Sequence, residues 1–118
     1  MLSVQIGGKS LKYLIPKFKQ IRNTMSYCRT TLVEFNSEKD ADEAQADYSK
    51  NAASEFPEAE ILLAIRTSPT SAVAVSVYPN EETAKKTTVA RKARMEKTAH
   101  RRKSAEMRQG EVTLNVVR

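Results

Sequence analysis

The strongest constraint on this chain is a pair of apolar runs that a short polar segment separates. Residues 61–65 read Ile-Leu-Leu-Ala-Ile, and residues 72–78 alternate valine with smaller side chains before ending at Tyr78. Residues 67–71, between them, read Thr-Ser-Pro-Thr-Ser, which is typical of a turn. Two β-forming runs with so short a connection pair as an antiparallel hairpin. The sequence therefore predicts an antiparallel sheet at the centre of the fold.

The segment before the hairpin predicts a strand and then a helix. Residues 27–35 are rich in β-branched and aromatic side chains, which favour a strand. Ser37 stands where a helix N-cap is expected, with Asp40 in the first turn. An apolar stripe at offsets of three and four continues this helix. It ends before Pro57, because proline disfavours a helical residue ahead of it.

The segment after the hairpin predicts a second helix and a last strand. Pro79-Asn-Glu-Glu is a strong helix start, with Asn80 as the cap. No helix breaker follows until Gly110, so we expect one helix over residues 82–109 and an alternating strand over residues 111–117. Such a helix would measure about 42 Å, whereas a seven-residue strand measures about 23 Å. The helix must therefore overhang the sheet or break.

The resulting order of elements in residues 25–118, β-α-β-β-α-β, is that of a ferredoxin-like α+β domain. Such a domain has a four-stranded antiparallel sheet with both helices on one face. Residues 1–24 differ, because they carry five basic groups and no acid. We interpret them as a basic N-terminal extension, or as sequence upstream of a start at Met25. An organelle-targeting segment and an arm that contacts a membrane surface or nucleic acid are the alternatives.

Charge and cysteine content narrow the class of protein. The net charge of +6 arises from residues 1–24 and 79–118, whereas residues 25–78 carry nine acidic and four basic groups. Cys28 is the single cysteine, so the chain cannot form an internal disulfide. No apolar run approaches the roughly 20 residues that a membrane span needs. We expect a cytoplasmic protein without a bound metal or cofactor, unless residues 1–24 direct it to an organelle.

Alternation along the strands sorts their side chains into two faces. We assign the larger apolar side chains of residues 61–65 and 73–77 to the face that meets the helices. The opposite face then mixes apolar side chains with Arg66, Tyr78 and Asn115, and it is too apolar to lie in water. A second copy of the chain would cover it, and twofold dimers are the commonest closed assembly. The sequence therefore predicts a homodimer that encloses a cavity between two sheets.

Residues 26–117 resemble the dimeric α/β-barrel superfamily. The resemblance rests on the order of the strand at 27–35, the helix at 37–56 and the hairpin at 61–78, and above all on Val-Ser-Val-Tyr-Pro-Asn-Glu-Glu at residues 75–82. Within the superfamily, the pattern is most similar to antibiotic-biosynthesis-monooxygenase-like domains. The resemblance implies a homodimer with a pocket on the sheet face of each protomer. It also implies binding of a small organic molecule, which some members oxidise without a cofactor.

Arg66, Tyr78 and Asn115 are the candidate ligand-binding residues. Each is a polar side chain on a predicted strand whose neighbours on the same face are small or apolar, as in many small-molecule sites. Arg66 would hold a carboxylate or enolate, and Tyr78 would donate a hydrogen bond or a proton. Arg29 joins them only if the first strand faces the other way. The structural alternative places Arg66 in solvent or against an acid, and Tyr78 at the rim of the barrel.

Three further interpretations remain open from the sequence. Haem-degrading members of the superfamily use a histidine of the second helix, where His100 lies, together with an asparagine and a tryptophan. The chain lacks tryptophan, and Asn36 falls at the end of the first strand and not inside it. Basic residues 91–94 and 100–103 would suit nucleic-acid phosphates, although the sheet lacks the aromatic platform of an RNA-recognition motif. The same basic stretch would instead pair with the acidic first helix, within or between protomers. A non-catalytic dimeric binding or structural protein is the third interpretation.

Overall fold

The computed structural model describes residues 25–118, and the predicted extension at residues 1–24 lies outside the described residues. A strand and a helix precede the hairpin, and two short helices and a last strand follow it. In chain order the elements are β1 (Tyr27–Phe35), α1 (Glu38–Glu55), β2 (Ile61–Ser68), β3 (Ser71–Tyr78), α2 (Glu81–Lys86), α3 (Thr88–Lys97), a 3₁₀ turn (Ala99–Arg101) and β4 (Arg102–Glu111). No helix in this part of the chain is long and apolar enough to cross a membrane.

Both predicted helix caps are present. The backbone N–H of Asp40 donates a hydrogen bond to Ser37 Oγ over 3.1 Å, and that of Thr83 donates to Asn80 Oδ1 over 2.7 Å. Each bond satisfies an N–H group that the first turn of a helix leaves without a partner. Helix α1 also ends where the following proline predicts. Local sequence is therefore sufficient to place both helix starts.

The predicted single helix over residues 82–109 is wrong. The helix breaks at Thr87, whose hydroxyl donates a hydrogen bond to the carbonyl of Ala84 over 2.7 Å, and its second part ends at Lys97. Two consecutive threonines are a poor helix interior, because their side chains lose conformational freedom there and their hydroxyls compete for backbone partners. At about 15 Å, α3 no longer overhangs the sheet.

The last strand also lies earlier than predicted. Strand β4 is Arg102–Glu111, and residues 112–118 belong to no helix or strand, so the predicted strand over residues 111–117 is wrong. All of β1 pairs with β4. Because β4 is an edge strand that is largely exposed on both faces, it needs no apolar alternation and carries charges instead. Its composition therefore resembles that of a solvated helix.

The four strands form one antiparallel sheet in the order β2-β3-β1-β4. At its centre, Thr31 of β1 pairs with Ala74 of β3 and with Met107 of β4, and Ala74 pairs in turn with Ala64 of β2. Paired side chains lie on the same face of an antiparallel sheet. The register therefore assigns every strand side chain to a face, and the architecture is the predicted α+β one.

The observed faces of β2 and β3 are the reverse of those predicted. Arg66 of β2 bonds to Asp42 of α1, and Arg91 of α3 bonds to Thr31 of β1. The helices therefore cover the alanine-rich face, which we call the helix face. Because both faces are apolar, alternation by itself cannot rank them. The larger apolar side chains lie on the opposite, free face: Leu32, Ile61, Leu63, Ile65, Val73, Val75 and Val77.

Candidate functional site

A cavity of about 320 Å³ lies between the helix face of the sheet and helices α1 and α3. Small side chains at the centre of the sheet form its floor, among them the cross-strand neighbours Thr31, Ala64 and Ala74. Larger side chains at these positions would fill the space. The volume falls at the lower end of the range of about 300–1,000 Å³ that is usual for small-molecule sites.

Aromatic side chains form part of the cavity wall. Phe35, Tyr48, Phe56 and Tyr78 all line it. Tyr78 is 2% exposed and has the largest fully buried side chain among the described residues. Burial raises the pKa of Tyr48, and the neighbouring Tyr78 adds to the shift. The Tyr48 hydroxyl therefore stays protonated at neutral pH, and it is available as a hydrogen-bond donor.

An ion-pair network joins α1 to the segment after α2 at one end of the cavity. Arg94 donates to both carboxylate oxygens of Glu55, over 2.8 Å to Oε2, and to Asp47 over 3.3 Å. Arg101 donates to the same oxygen of Asp47 over 3.1 Å. The guanidinium of Arg94 also lies 5.5 Å from the centre of the Tyr48 ring. The predicted electrostatic pair between the acidic first helix and the basic stretch is thus found within one protomer.

The carboxylates of this network have lowered pKa values. Burial by itself would raise the pKa of Asp47, but hydrogen bonds from Asn51, Arg101 and Arg94 outweigh it and hold the pKa below the ordinary 3.8. The hydrogen bond from Arg94 holds the pKa of Glu55 below its ordinary 4.5. A folded-state pKa below the unfolded value stabilises the fold above the unfolded value, and that contribution disappears as the pH falls through the folded value.

The contribution of Asp47 and Glu55 to the free energy of unfolding should be constant above about pH 5 and should fall as the pH drops below about 4. Urea unfolding over this pH range measures the decline. In the variant D47N/E55Q neither side chain titrates, so we expect a shallower decline. If the two proteins lose stability with the same pH slope, the network is not its source.

Arg29 is buried without a carboxylate partner among the described residues. It is 6% exposed, and its guanidinium donates to Thr87 Oγ1 over 2.8 Å and to Gln109 Oε1 over 3.2 Å. It also lies 5.8 Å from the centre of the Tyr78 ring. Neutral oxygens and an aromatic ring solvate its charge in part. None of these groups neutralises it.

Arg91 and Arg102 line the cavity. The charges of Arg29 and Arg102 both act on the guanidinium of Arg91. Arg91 donates to Thr31 Oγ1 over 3.0 Å, and Arg102 donates to Thr98 Oγ1 over 2.9 Å. Within residues 25–118, neither forms an ion pair. Desolvation lowers the pKa of Arg91, and the charges of Arg29 and Arg102 lower it further. Arg29 and Arg102 therefore both repel the charge of Arg91, and no carboxylate of the described residues forms an ion pair with any of the three.

The three predicted ligand-binding residues do not lie together. Arg66 and Tyr78 line the cavity, but they do so from the helix face and not from the face predicted for them. Arg66 is paired with Asp42 over 3.0 Å and bonded to Gln45 over 2.7 Å, which matches its structural alternative. Asn115 is exposed beyond the end of β4 and does not line the cavity. Asn115 was expected in the site because residues 111–117 were predicted to be the last strand, whereas β4 is Arg102–Glu111.

Tyr48, Arg91 and Arg102 were not among the predicted site residues, and Arg29 was named only for the case in which the first strand faces the other way. Arg91 and Arg94 are three residues apart, so they share one side of α3, and that side faces the cavity. This spacing was the available signal. Arg29 lies on the same face as Arg66 because β2 and β3, and not β1, are reversed relative to the prediction.

The other chemically distinctive residues lie outside the cavity. His100 is exposed, and its carbonyl accepts a hydrogen bond from Asn36 Nδ2 over 2.9 Å. Cys28 is half-buried on the free face, and burial raises the pKa of its thiol, which disfavours the reactive thiolate. Across residues 25–118, no group of three His, Cys, Asp or Glu side chains is arranged to hold a metal ion.

Two solved structures share this fold. A protein of unknown function from Nitrosomonas europaea has a TM-score of 0.64 and 13% identity, and the match covers 80% of this chain and 96% of that one. A dimeric ferredoxin-like protein from an uncultured marine organism has a TM-score of 0.66 and 12% identity, and the match covers 80% of this chain and 93% of that one. No family model and no curated protein matches the sequence. The likeness shows a ferredoxin-like fold, as predicted, and does not confirm the narrower resemblance to monooxygenase-like domains.

Proposed function

We propose that this protein is a homodimer whose protomers each bind a small organic anion between the helices and the sheet. The observation that carries the proposal is the position of Arg91 and Arg102. They line a cavity with an apolar floor beside the buried Arg29, and no carboxylate of the described residues pairs with any of the three. A largely apolar cavity with a few polar groups in its lining is the usual form of a ligand site.

An anion would offset the electrostatic cost of this arrangement. Like charges that are partly removed from water repel strongly unless a counter-charge joins them. A guanidinium presents parallel N–H donors that match the two oxygens of a carboxylate. Arg91 uses one terminal nitrogen for Thr31 and has no acceptor among the described residues for the others. The buried Nε of Arg101, another lining residue, also lacks an acceptor there.

The remaining lining residues favour a ligand with an apolar, ring-sized body. Alanines form the floor, and Tyr48 and Tyr78 stand at the wall. A volume of about 320 Å³ suits a single-ring molecule better than a polyketide. An aromatic carboxylate combines the apolar body with the charge that Arg91 and Arg102 would bind. The hydroxyl of Tyr48 is protonated at neutral pH, as in an ordinary tyrosine, and would donate to a polar substituent.

The homodimer is supported by the free face of the sheet. Leu32, Leu63 and Ile65 are between 42% and 52% exposed there in a single chain. Burial of apolar surface is favourable by roughly 25 cal/mol per Å², so a second copy of this face would stabilise both. The dimeric ferredoxin-like neighbour adds support for this assembly. Two free faces packed together would form the predicted barrel, but the ligand cavity would lie outside the barrel, under the helices.

Oxidation of the ligand is less well supported than binding. Cofactor-free oxidation by O₂ begins when a base removes a proton from the substrate. The carboxylate that lines the cavity is Asp47, and Arg94 and Arg101 hold its pKa low, which makes it a weak base. Nucleic-acid binding has less support still, because four of the predicted phosphate-binding arginines line the cavity: Arg91, Arg94, Arg101 and Arg102.

Calorimetric titration with three probes tests the ligand class. Benzoate supplies a ring and a carboxylate, benzyl alcohol supplies the ring without the charge, and inorganic phosphate supplies charge without a ring. We expect benzoate to bind most tightly of the three. R91M should weaken benzoate binding about tenfold, which corresponds to the loss of one charge-assisted hydrogen bond.

K92M is the matched control, because Lys92 is the exposed neighbour of Arg91 on the same helix. It removes the same charge from the chain, so its affinity for benzoate should equal that of the unmodified protein. Equal binding of benzoate and benzyl alcohol would refute the anion site. The same follows if R91M and K92M bind benzoate alike.

A further inference from the structure

Residues 112–118 have the pattern of a strand but pair with no strand of the part of the chain that the structure describes. Residues 112–118 read Val-Thr-Leu-Asn-Val-Val-Arg, which alternates apolar and polar side chains up to Val116. The N–H of Val112 donates a hydrogen bond to the carbonyl of Ser26, just before β1, and no backbone hydrogen bond joins residues 113–118 to the other described residues. Leu114 and Val117 are then 80% and 82% exposed. This C-terminal tail leaves the sheet with its apolar side chains in solvent.

The sheet has two edges, and their chemistry differs. The outer edge of β4 carries Lys103, Glu106 and Arg108, and charged side chains of this kind oppose pairing with another chain. The first five residues of β2 are Ile-Leu-Leu-Ala-Ile, without a charge, proline or glycine. No described strand pairs with the outer side of β2. A long, apolar and unprotected edge of this kind is a template for strand addition.

We propose that the C-terminal tail of each copy pairs with the outer edge of β2 in the second copy. This inference rests on the homodimer proposed above and names the segment that joins its protomers. Two equivalent tails and two equivalent β2 edges meet in a twofold dimer, so every such tail and edge is used and the assembly closes. The tail has the pattern of a strand, and the apolar edge of β2 pairs with no other described strand, so the two are complementary in such an assembly.

The length and the pattern of the tail suit this contact. Seven extended residues span about 23 Å, whereas two sheets packed face to face lie about 10 Å apart. The tail is therefore long enough to cross from its own sheet to that of the partner. Leu114 and Val116 lie two residues apart and share one side of an extended strand. That side would extend the apolar surface formed by Leu63 and Ile65.

The test compares the full chain with two variants of equal charge. L114D/V116D places two carboxylates on the apolar side of the tail, and T113D/N115D places them on the polar side. Sedimentation over a dilution series gives the dissociation constant of the dimer. We expect L114D/V116D to raise it at least about tenfold and T113D/N115D to change it by less than about threefold. A chain that ends at Glu111 should behave like L114D/V116D.

Hydrogen exchange provides an independent readout. A strand added to an edge hydrogen-bonds through alternate residues, so alternate amides of residues 112–117 should be protected in the dimer. They should exchange freely in L114D/V116D. If the full chain is a dimer whose tail amides all exchange freely and whose affinity is the same in both double variants, the tail contact is refuted and the dimer stands. If the full chain is a monomer at every concentration, the homodimer itself fails.

Discussion

Replacement of Tyr78 by alanine is expected to lower the free energy of unfolding by about 3–5 kcal/mol, the range seen when a buried aromatic side chain is truncated. Tyr78 is the largest fully buried side chain of the described part, and Arg29 lies against its ring. Y78A would therefore leave a void and also remove an aromatic partner from a buried cation. A domain of this size is stable by only about 5–15 kcal/mol, so Y78A should unfold at a much lower urea concentration.

Y78F separates packing from the hydroxyl group. It keeps the ring, and it should change the free energy of unfolding by less than about 1 kcal/mol. If the Tyr78 hydroxyl contacts the ligand, Y78F will also bind benzoate more weakly while its stability is unchanged. Urea unfolding and calorimetry on the same samples distinguish the two effects. A stability loss in Y78F as large as that in Y78A would contradict the assignment of Tyr78 to the packed core.

Replacement of Leu63 by glutamate is expected to convert the dimer to a monomer. Leu63 is 52% exposed in a single chain, so L63E should cost the isolated protomer little. In the dimer the same carboxylate would lie in an apolar interface without a partner, which costs several kcal/mol. We expect the dissociation constant to rise by a factor of about 100 or more. Sedimentation and light scattering measure it, and circular dichroism should show an unchanged fold.

V89E is the control for this substitution. Val89 lies on α3, is 81% exposed and is not part of the free face, so it tests the same change from an aliphatic side chain to glutamate. The V89E protein should remain a dimer. If L63E and V89E have the same dissociation constant, the free face is not the interface. Because the ligand cavity lies on the opposite side of the sheet, a monomeric L63E protein should still bind benzoate.

Some features of this protein follow from a few adjacent residues. The hairpin needs only two apolar runs and a polar turn, and each helix start needs only a capping side chain and a backbone N–H close by. Ser37 and Asn80 therefore marked the helix starts correctly. Hydrogen bonds over three residues are local, so the sequence states them almost directly. The order of elements and the ferredoxin-like fold follow from these local features.

Other features were decided by contacts between distant residues. Strand β4 contains residues that equally suit a helix, and its pairing along the whole of β1 makes it a strand. Alternation showed that β2 and β3 have two apolar faces, but only Arg66 against Asp42 and Arg91 against Thr31 show which face meets the helices.

By itself, the sequence determined the fold and the helix starts, and it showed that the sheet has two apolar faces without showing which of them meets the helices. Only the tertiary structure decided that the cavity lies under the helices, with Arg29, Arg91 and Arg102 beside it. The physical reason is that the effect of a charged side chain depends on the groups that surround it in the folded protein. Residues 29 and 91 are 62 positions apart in the chain, and no local pattern shows that they lie close enough for the charge of Arg29 to lower the pKa of Arg91.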